Sequence, residues 1–365
     1  MHFETNYLNS ILSRFVIEGE VRSIAPFGSG HINDTFLVTT APGSPCHYVL
    51  QRINHKVFRD VEGLTGNILR VTRHMRETLG SSPSIPGYFQ MIDLVPTTCG
   101  QYLFSDGSGL FWRLYNHVGG SHTYDRIMNP AIAFEAGKAY AMFQHLTADL
   151  DPSSLVEILP GFHDIDRRLS AFREITRNDP AGRVPAAEKE VEFTEARASG
   201  MNRIRELLSA GHIPLRVTHN DTKINNVLFN NEMKAIAVVD LDTVMPGTVL
   251  YDFGDAIRTG AATAGEDDPD RIGIDLGLFA AYASGYLGTA GEFLTTEEKK
   301  HLAFSAKFMT FIIGLRFLTD HLDGDRYFKV RFPGHNLQRA RAQFRLLESM
   351  EKHFTEMEAL IAGSL

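Results

Sequence analysis

The stretch from His219 to Asp255 decides the fold of this chain. It begins His219-Asn220-Asp221-Thr222-Lys223-Ile224-Asn225-Asn226-Val227-Leu228-Phe229, continues after a polar turn as Ala237-Val238-Val239-Asp240-Leu241-Asp242, and ends as Tyr251-Asp252-Phe253-Gly254-Asp255. A His-x-Asp is thus followed by an Asn, and later by a carboxylate at the end of an apolar run. These parts in this order are typical of a site that transfers a phosphoryl group.

The chemistry assigns a role to three residues of this stretch. Phosphoryl transfer needs a carboxylate that accepts the proton of the attacking hydroxyl, and Asp221 is the natural base. It also needs oxygen ligands for Mg²⁺, which the amide of Asn226 and the carboxylate of Asp240 supply. The strand-like segments 227–229 and 236–239 flank the polar turn, so a hairpin should fold Asp240 back beside Asn226. The sequence therefore predicts Asp221 as the catalytic base and Asn226 and Asp240 as the metal ligands.

Four neighbouring residues each leave two interpretations open. His219 is a buried scaffold residue bonded to loop backbone or a second base, and we favour the scaffold. Lys223 steadies the transferring phosphoryl group or is a solvated surface residue. Asp242 is a further metal ligand or hydrogen-bonds within the loop. Asp252 caps the helix that follows it or reaches back to hold the catalytic loop, and we favour the second interpretation.

The first third of the chain has the texture of an antiparallel sheet. Short β-branched and aromatic runs are separated by Gly, Pro and Asn, and one helical pattern interrupts them. The predicted elements are a short helix at 8–15, strands at 21–27, 35–40 and 46–53, a helix within 54–79, and strands at 91–95 and 110–114. The pattern changes around Tyr115–Gly120, where we place a hinge. Residues 1–115 are predicted to form a small nucleotide-binding lobe.

Helical patterns dominate beyond the hinge. Predicted helices span residues 130–146, 164–176, 188–210, 295–321 and 336–361, and Thr295 with Glu298 forms a capping box at one of the starts. Residues 116–365 should therefore form a larger catalytic and substrate-binding lobe. The fold class is α+β, with a small antiparallel sheet lobe that carries one main helix and a mostly helical second lobe.

The glycines of Gly28-Ser29-Gly30-His31 lie at the turn between the first two predicted strands. Glycine at such a turn lets backbone N–H groups approach a polyanion closely, which suits the phosphates of a nucleotide. An ordinary hairpin turn has the same composition. This motif alone does not decide between the two.

Length and composition set the broad class. The 365 residues suggest roughly two domains, and 43% apolar, 10% aromatic and 22% charged residues are typical of a soluble globular protein. A net charge of −8 and a pI near 6.0 argue against binding of nucleic acid or an anionic membrane. Two cysteines, Cys46 and Cys99, are too few for a disulfide framework. We expect no membrane span, a cytoplasmic location, and a monomer or weak homodimer.

The chain resembles the aminoglycoside phosphotransferase and choline kinase group of small-molecule kinases, which share a two-lobed protein-kinase-like fold. Within that group it resembles the bacterial N-acetylhexosamine 1-kinases. The resemblance covers nearly the whole chain, and its segments are Pro26–Asn33, Tyr48–Gln51, Val95–Thr98, Leu215–Lys223, Asp240–Gly247, Asp252–Asp255, Gly314–Leu318 and His335–Leu337. The His-Asn-Asp-Thr-Lys form of the loop is more specific than a bare His-x-Asp.

The resemblance implies ATP- and Mg²⁺-dependent transfer of the γ-phosphoryl group to the anomeric hydroxyl of N-acetylglucosamine or N-acetylgalactosamine. Asp221 would be the base, Asn226 and Asp240 the Mg²⁺ ligands, and Gly28, Ser29 and Gly30 would cover the nucleotide together with Gln51 and Tyr115. His31, Asp221 and Arg316 would contact the sugar. Arg316 directly follows the apolar run 311–315. Its position supports a contact with the sugar, because a partly buried Arg normally has a specific binding partner. A structural ion pair is the alternative for Arg316.

One position departs from the wider kinase pattern. The third strand should carry a Lys that contacts the phosphates and pairs with a helix Glu, yet Tyr48-Val49-Leu50-Gln51-Arg52 has Gln51 there. The sugar 1-kinases share this Gln, and it puts in doubt any pair with Asp60 or Glu62. Two alternatives stay open: another small-molecule kinase of the same fold, acting on choline, ethanolamine, homoserine or an aminoglycoside, and a kinase-like binding module without activity, which Gln51 motivates.

Overall fold

The computed structural model describes residues 3–28, 32–44, 46–81, 87 and 89–364. Its first third forms one antiparallel sheet with strand order β1-β2-β3-β6-β4, and β5 pairs with β6. The strands are β1 (Val21–Pro26), β2 (Asp34–Thr40), β3 (Tyr48–Ile53), β4 (Leu94–Val95), β5 (Phe104–Ser105) and β6 (Phe111–Asn116). The predicted antiparallel sheet is therefore present, although β4 retains only two of the five residues expected.

The two faces of this sheet serve different purposes because side chains alternate along each strand. On one face Val38, Leu50 and Trp112 are buried under the first helix, α1 (Thr5–Leu12). On the other face Thr35, Gln51 and Arg113 form a row across three strands, since Thr35 pairs with Gln51 and Gln51 with Arg113. This second row faces a cleft.

The rest of the chain is mainly helical, as predicted. The helices are α2 (Val61–Ser81), α3 (Pro130–Leu146), α4 (Ile165–Asn178), α5 (Glu188–Ala198), α6 (Arg203–Ser209), α7 (Val249–Gly260), α8 (Leu276–Ala290), α9 (Thr296–Lys300), α10 (Leu302–Leu322), α11 (His335–Lys352) and α12 (Phe354–Gly363). Four short strands complete the structure: β7 (Arg216–Thr218), β8 (Val227–Phe229), β9 (Ala235–Val238) and β10 (Met245–Gly247).

Helix boundaries differ from the predictions in specific places. Three predicted long helices are each divided in two: a 3₁₀ turn at Ser199–Asn202 separates α5 from α6, and non-helical residues His301 and His353 separate the other pairs. The capping box of Thr295 and Glu298 is present at the start of α9. Helix α2 begins at Val61 and not at residue 54, because Asp60 accepts a hydrogen bond from the Gly63 amide at the turn before it.

Close helix packing builds the larger part of the core. Helices α3 and α8 lie against each other where a Cβ on Gly137 or Gly285 would collide with backbone carbonyls of the facing helix. The absent side chains permit the approach. Residues of α2 belong to the same continuous core as the C-terminal helices. The domain boundary between residues 115 and 116 remains a prediction.

Helix α10 is also long and apolar enough to cross a membrane by length and composition, which the sequence analysis did not anticipate. In the fold, 72% of that stretch is buried, and the helix packs against α7 and α11. It has the position of a core helix.

Candidate active site

The loop after β7 carries the predicted base and is fixed by buried hydrogen bonds. The carboxylate of Asp252, in the first turn of α7, accepts hydrogen bonds from the backbone N–H groups of Asn220 (2.7 Å) and His219 (3.0 Å) and from Gln144 Nε2 (2.9 Å). Thr248, and not Asp252, caps this helix. Asp252 thus reaches back to hold the loop, and the capping alternative is wrong.

His219 is fully buried at the start of this loop. Its Nε2 lies 2.9 Å from the Val239 carbonyl oxygen, and its ring packs edge-on against Tyr140 and Phe143. Thr243 Oγ1 donates a hydrogen bond of 2.6 Å to the His219 carbonyl. These contacts tie the loop to the segment that carries Asp240, which is the scaffold position favoured for His219.

A hairpin brings the two predicted metal ligands together. Strands β8 and β9 pair antiparallel with Val227 opposite Val238, and the Val239 amide donates to the Asn226 carbonyl at 2.9 Å. Asp240 follows at once in a left-handed backbone conformation, with φ of 62°. Asn226 Nδ2 donates to the Asp221 carbonyl at 2.8 Å. The base and both ligands therefore border one space, as the hairpin argument predicted.

The side chains at this point fit a hard cation. Enclosure in the cleft raises the pKa of Asp240 to about 7, and the carboxylates of Asp242 and Asp221 contribute to the shift, although the side chain stays accessible. A cation would relieve this repulsion between carboxylates. In the described part of the chain, no group of three or more His, Cys, Asp and Glu side chains could hold a metal. The amide oxygen of Asn226 and the carboxylate of Asp240 would instead provide two ligands. Mg²⁺ is commonly bound by so few protein ligands when substrate phosphates and water supply the others.

Asp221 opens into the cleft with Lys223 beside it. The two side chains form an ion pair at 2.7 Å and are both partly exposed. Desolvation would raise the pKa of Asp221, but the positive charge of Lys223 is the main influence that holds it below the usual value. Asp221 is therefore a carboxylate at neutral pH, as a base must be.

Both oxygens of Asp242 are engaged by the sheet lobe. Its Oδ1 lies 2.5 Å from Arg113 Nη2, and its Oδ2 accepts a hydrogen bond of 2.7 Å from Asn33 Nδ2. The Asp242 side chain is 4% exposed and that of Arg113 1%. In this arrangement Asp242 hydrogen-bonds within the site through both of its carboxylate oxygens.

The cleft between the sheet and this loop has a volume of about 650 Å³. Of the residues predicted to bind the nucleotide, Gly28, Gln51 and Tyr115 line it, as do Asp221, Asn226 and Asp240. Gly28 has the positive φ of 76° that the predicted turn requires. Ser29, Gly30 and His31 lie outside the described residues.

Arg316 is not among the residues that line this cleft; it lies on α10 among aromatic rings. Its guanidinium carbon is 4.9 Å from the ring centre of Phe162, 5.5 Å from that of Phe328 and 5.7 Å from that of Tyr327. Desolvation lowers the pKa of Arg316. Among the described residues no salt bridge to Arg316 is formed, so the structural ion pair considered as its alternative is not observed there. The negative charge of Asp221 nevertheless acts on Arg316 and opposes this lowering of its pKa.

Further charged groups accompany Arg316. Arg168 donates to the Phe162 carbonyl at 2.9 Å, and burial together with the charge of Arg316 lowers the pKa of Arg168 to about 10. Burial and the same charge lower the pKa of His163 to about 3, so its ring is neutral at physiological pH. The surroundings of Arg316 are thus aromatic and contain further positive charge, while the carboxylates of Asp255 and Asp221 also act on it.

Arg113 and the bond between Asn33 and Asp242 are not among the predicted features of the site. Arg113 does carry a signal in the sequence: like Arg316, it interrupts an apolar run, here Phe111-Trp112-Arg113-Leu114-Tyr115 within a predicted strand. No local pattern indicates that Asn33 and Asp242 meet, because 209 positions separate them.

Known proteins agree with this architecture. The model of the phosphotransferase enzyme family (APH) matches residues 23–291. An aminoglycoside phosphotransferase from Alicyclobacillus acidocaldarius superposes with a TM-score of 0.64 at 12% identity, over 97% of this chain and 96% of that one. A microcompartment-associated aminopropanol kinase gives 0.63 at 14% identity, over 97% and 99%. An ethanolamine kinase from Plasmodium vivax gives 0.58 at 15% identity, over 88% and 82%.

Proposed function

The chain belongs to the phosphotransferase enzyme family, and from this premise we propose that it is an ATP-dependent sugar 1-kinase. The acceptor is the anomeric hydroxyl of an N-acetylhexosamine, and the products are the sugar 1-phosphate and ADP. The proposal combines the family membership, the geometry around Asp221 and the surroundings of Arg316.

The reaction assigns Asp221 a direct task. As the anomeric oxygen bonds to the γ-phosphorus, its proton passes to the Asp221 carboxylate. The bond from the γ-phosphorus to the β–γ bridging oxygen breaks, and ADP leaves. Asn226 and Asp240 would hold Mg²⁺, which neutralises charge on the phosphates when it is bound. Lys223, at 2.7 Å from Asp221, keeps that carboxylate ionised and oriented until the acceptor arrives.

The choice of acceptor class depends on Arg316, which lies among aromatic rings and forms no salt bridge within the described part of the chain. Its charge, with that of Arg168, disfavours a cationic acceptor near Asp221. Choline, ethanolamine and aminoglycosides would instead need carboxylates or an uncharged aromatic cage. A neutral sugar with hydroxyl and acetamide oxygens can accept hydrogen bonds from a guanidinium, and its apolar faces can pack on rings such as Phe162 and Tyr327.

An ADP-release assay with Mg²⁺ and a panel of acceptors tests the proposal. The panel holds N-acetylglucosamine, N-acetylgalactosamine, glucose, galactose, choline, ethanolamine, aminopropanol, homoserine and kanamycin. We expect turnover with the N-acetylhexosamines above all others. The Asp221→Asn variant, purified in the same way, controls for contaminating kinases. Turnover only with the amines would refute the sugar assignment, and no turnover with any acceptor would favour a binding module.

A further inference from the structure

A buried arginine of the sheet lobe lies beside the β3 position at which the expected lysine is absent. Gln51 occupies the position on β3 at which related kinases carry a phosphate-binding Lys. Arg113, on β6, is the residue directly opposite Gln51 across the strand pair. Gln51 Oε1 accepts hydrogen bonds from Arg113 Nη2 (2.8 Å) and Nε (3.0 Å), and Gln51 Nε2 donates to Thr35 Oγ1 at 3.2 Å. The positively charged side chain at this point of the sheet therefore belongs to β6 and not to β3.

The contacts of Arg113 hold its guanidinium in place but leave one of the three guanidinium nitrogens without a hydrogen-bond acceptor among the described residues. Nη2 and Nε are engaged by Asp242 and Gln51. Nη1 is shielded from water and makes no hydrogen bond in the described part of the chain. An unpartnered buried donor is costly, because no hydrogen bond offsets its desolvation. A ligand oxygen in the cleft would remove this cost, and Arg113 is among the residues that line the cleft.

We propose that Arg113 is a phosphate-binding residue of the nucleotide site, with Gln51 and Asp242 as the residues that position it. This inference rests on the proposed use of ATP. The ligand it binds is the diphosphate portion of the nucleotide, since Asn226, Asp240 and Asp221 border the same cleft. A buried guanidinium suits this task because its planar group can hold a carboxylate and a phosphate at once.

The Asp242 contact links this charge to the metal-binding segment. Asp242 stands two residues after Asp240, and it also receives a hydrogen bond from Asn33, the residue before β2. One carboxylate therefore joins β6, the start of β2 and the segment of Asp240. In kinases that carry the lysine, the ion pair between that lysine and a helix Glu takes the place of the Arg113–Asp242 pair. Here Asp60, a candidate for that pair, instead accepts a hydrogen bond from the Gly63 amide at the start of α2.

Binding of adenosine, AMP and ADP, measured by calorimetry, tests the inference. For Arg113→Gln we expect ADP affinity to fall by about 10- to 100-fold, as for a lost charge-assisted hydrogen bond, while adenosine affinity is unchanged. The control is Arg52→Gln, which removes an Arg–Asp pair from the opposite face of the same sheet. Arg52→Gln should leave both affinities unchanged.

Two double variants separate phosphate binding from a folding role. Arg113→Gln with Gln51→Lys returns a positive charge to β3 and should recover part of the lost ADP affinity. Arg113→Gln with Asp242→Asn leaves no buried carboxylate unpaired, so it should fold even where the single variant does not, and it should still lose ADP affinity selectively. Equal weakening of adenosine and ADP in these folded variants would overturn the inference. Failure of the unmodified protein to bind ADP would instead refute the proposed function.

Discussion

The proposed catalytic loop and the face of the sheet that is proposed to bind phosphate are built in contrasting ways. The loop side takes its proposed base, its two proposed metal ligands and the Asp252 support from 37 consecutive positions, His219 to Asp255. The sheet side takes Asn33, Gln51 and Arg113 from three separate segments: Asp242 contacts Asn33 and Arg113, and Arg113 in turn donates to Gln51. A contiguous sequence motif therefore supplies the functional groups on the loop side, whereas strand pairing brings together those on the sheet side.

Replacement of the base tests the loop side most severely. Asp221→Asn keeps the shape of the side chain but removes the proton acceptor, so we expect kcat to fall by about 10³-fold. ADP affinity should stay close to that of the unmodified protein, because the carboxylate acts on the acceptor. Rapid-quench kinetics and calorimetry measure the two quantities. Unchanged kcat would show that another group is the base.

Removal of a metal ligand should have the next largest effect. In Asp240→Asn the cation loses a charged ligand, so the Mg²⁺ concentration for half-maximal activity should rise by about 100-fold. Titration of activity with Mg²⁺ measures it. Asp242→Asn is the matched comparison, because both of its oxygens contact Asn33 and Arg113. A larger Mg²⁺ effect for Asp242→Asn than for Asp240→Asn would reverse the roles of the two carboxylates.

The support beneath the loop should show itself in stability. Asp252→Asn can present only one oxygen to the backbone donors of His219 and Asn220. We expect the free energy of unfolding to fall by about 2 kcal/mol in urea titrations, because a buried donor loses its acceptor. Asp149→Asn, at an exposed side chain that pairs with His74, is the control and should change stability by less than about 0.5 kcal/mol. Equal effects would mean that Asp252 does not hold the loop.

The acceptor side should show the smallest change. Arg316→Ala removes one hydrogen-bonding group, so we expect the sugar KM to rise by about 10-fold and the nucleotide KM to stay constant. Steady-state kinetics with each substrate varied gives both values. A parallel rise of both KM values, with a lower melting temperature, would assign Arg316 to the fold.

The same contrast explains what the sequence could predict. The β8–β9 hairpin and the capping box at α9 depend on residues a few positions apart, so their patterns were sufficient. The proximity of Arg113 to Gln51 follows from β6 lying next to β3, which no local pattern states. The helix interruptions at His301 and His353 were not predicted, because the apolar periodicity continues across both residues. Only the backbone conformation departs from a helix there. Helix α8 was also missed, since a helix rich in Ala and Gly has little amphipathic contrast.

The identity of the phosphorylated product tests the central proposal most directly. Reaction of the protein with ATP, Mg²⁺ and N-acetylglucosamine or N-acetylgalactosamine, followed by proton-coupled ³¹P NMR, shows which oxygen carries the new phosphate. We predict a three-bond coupling of the phosphorus to the anomeric proton, and no product from the corresponding 1-deoxy sugar. Phosphate on another hydroxyl, or turnover of the 1-deoxy sugar, would contradict the assignment of a sugar 1-kinase.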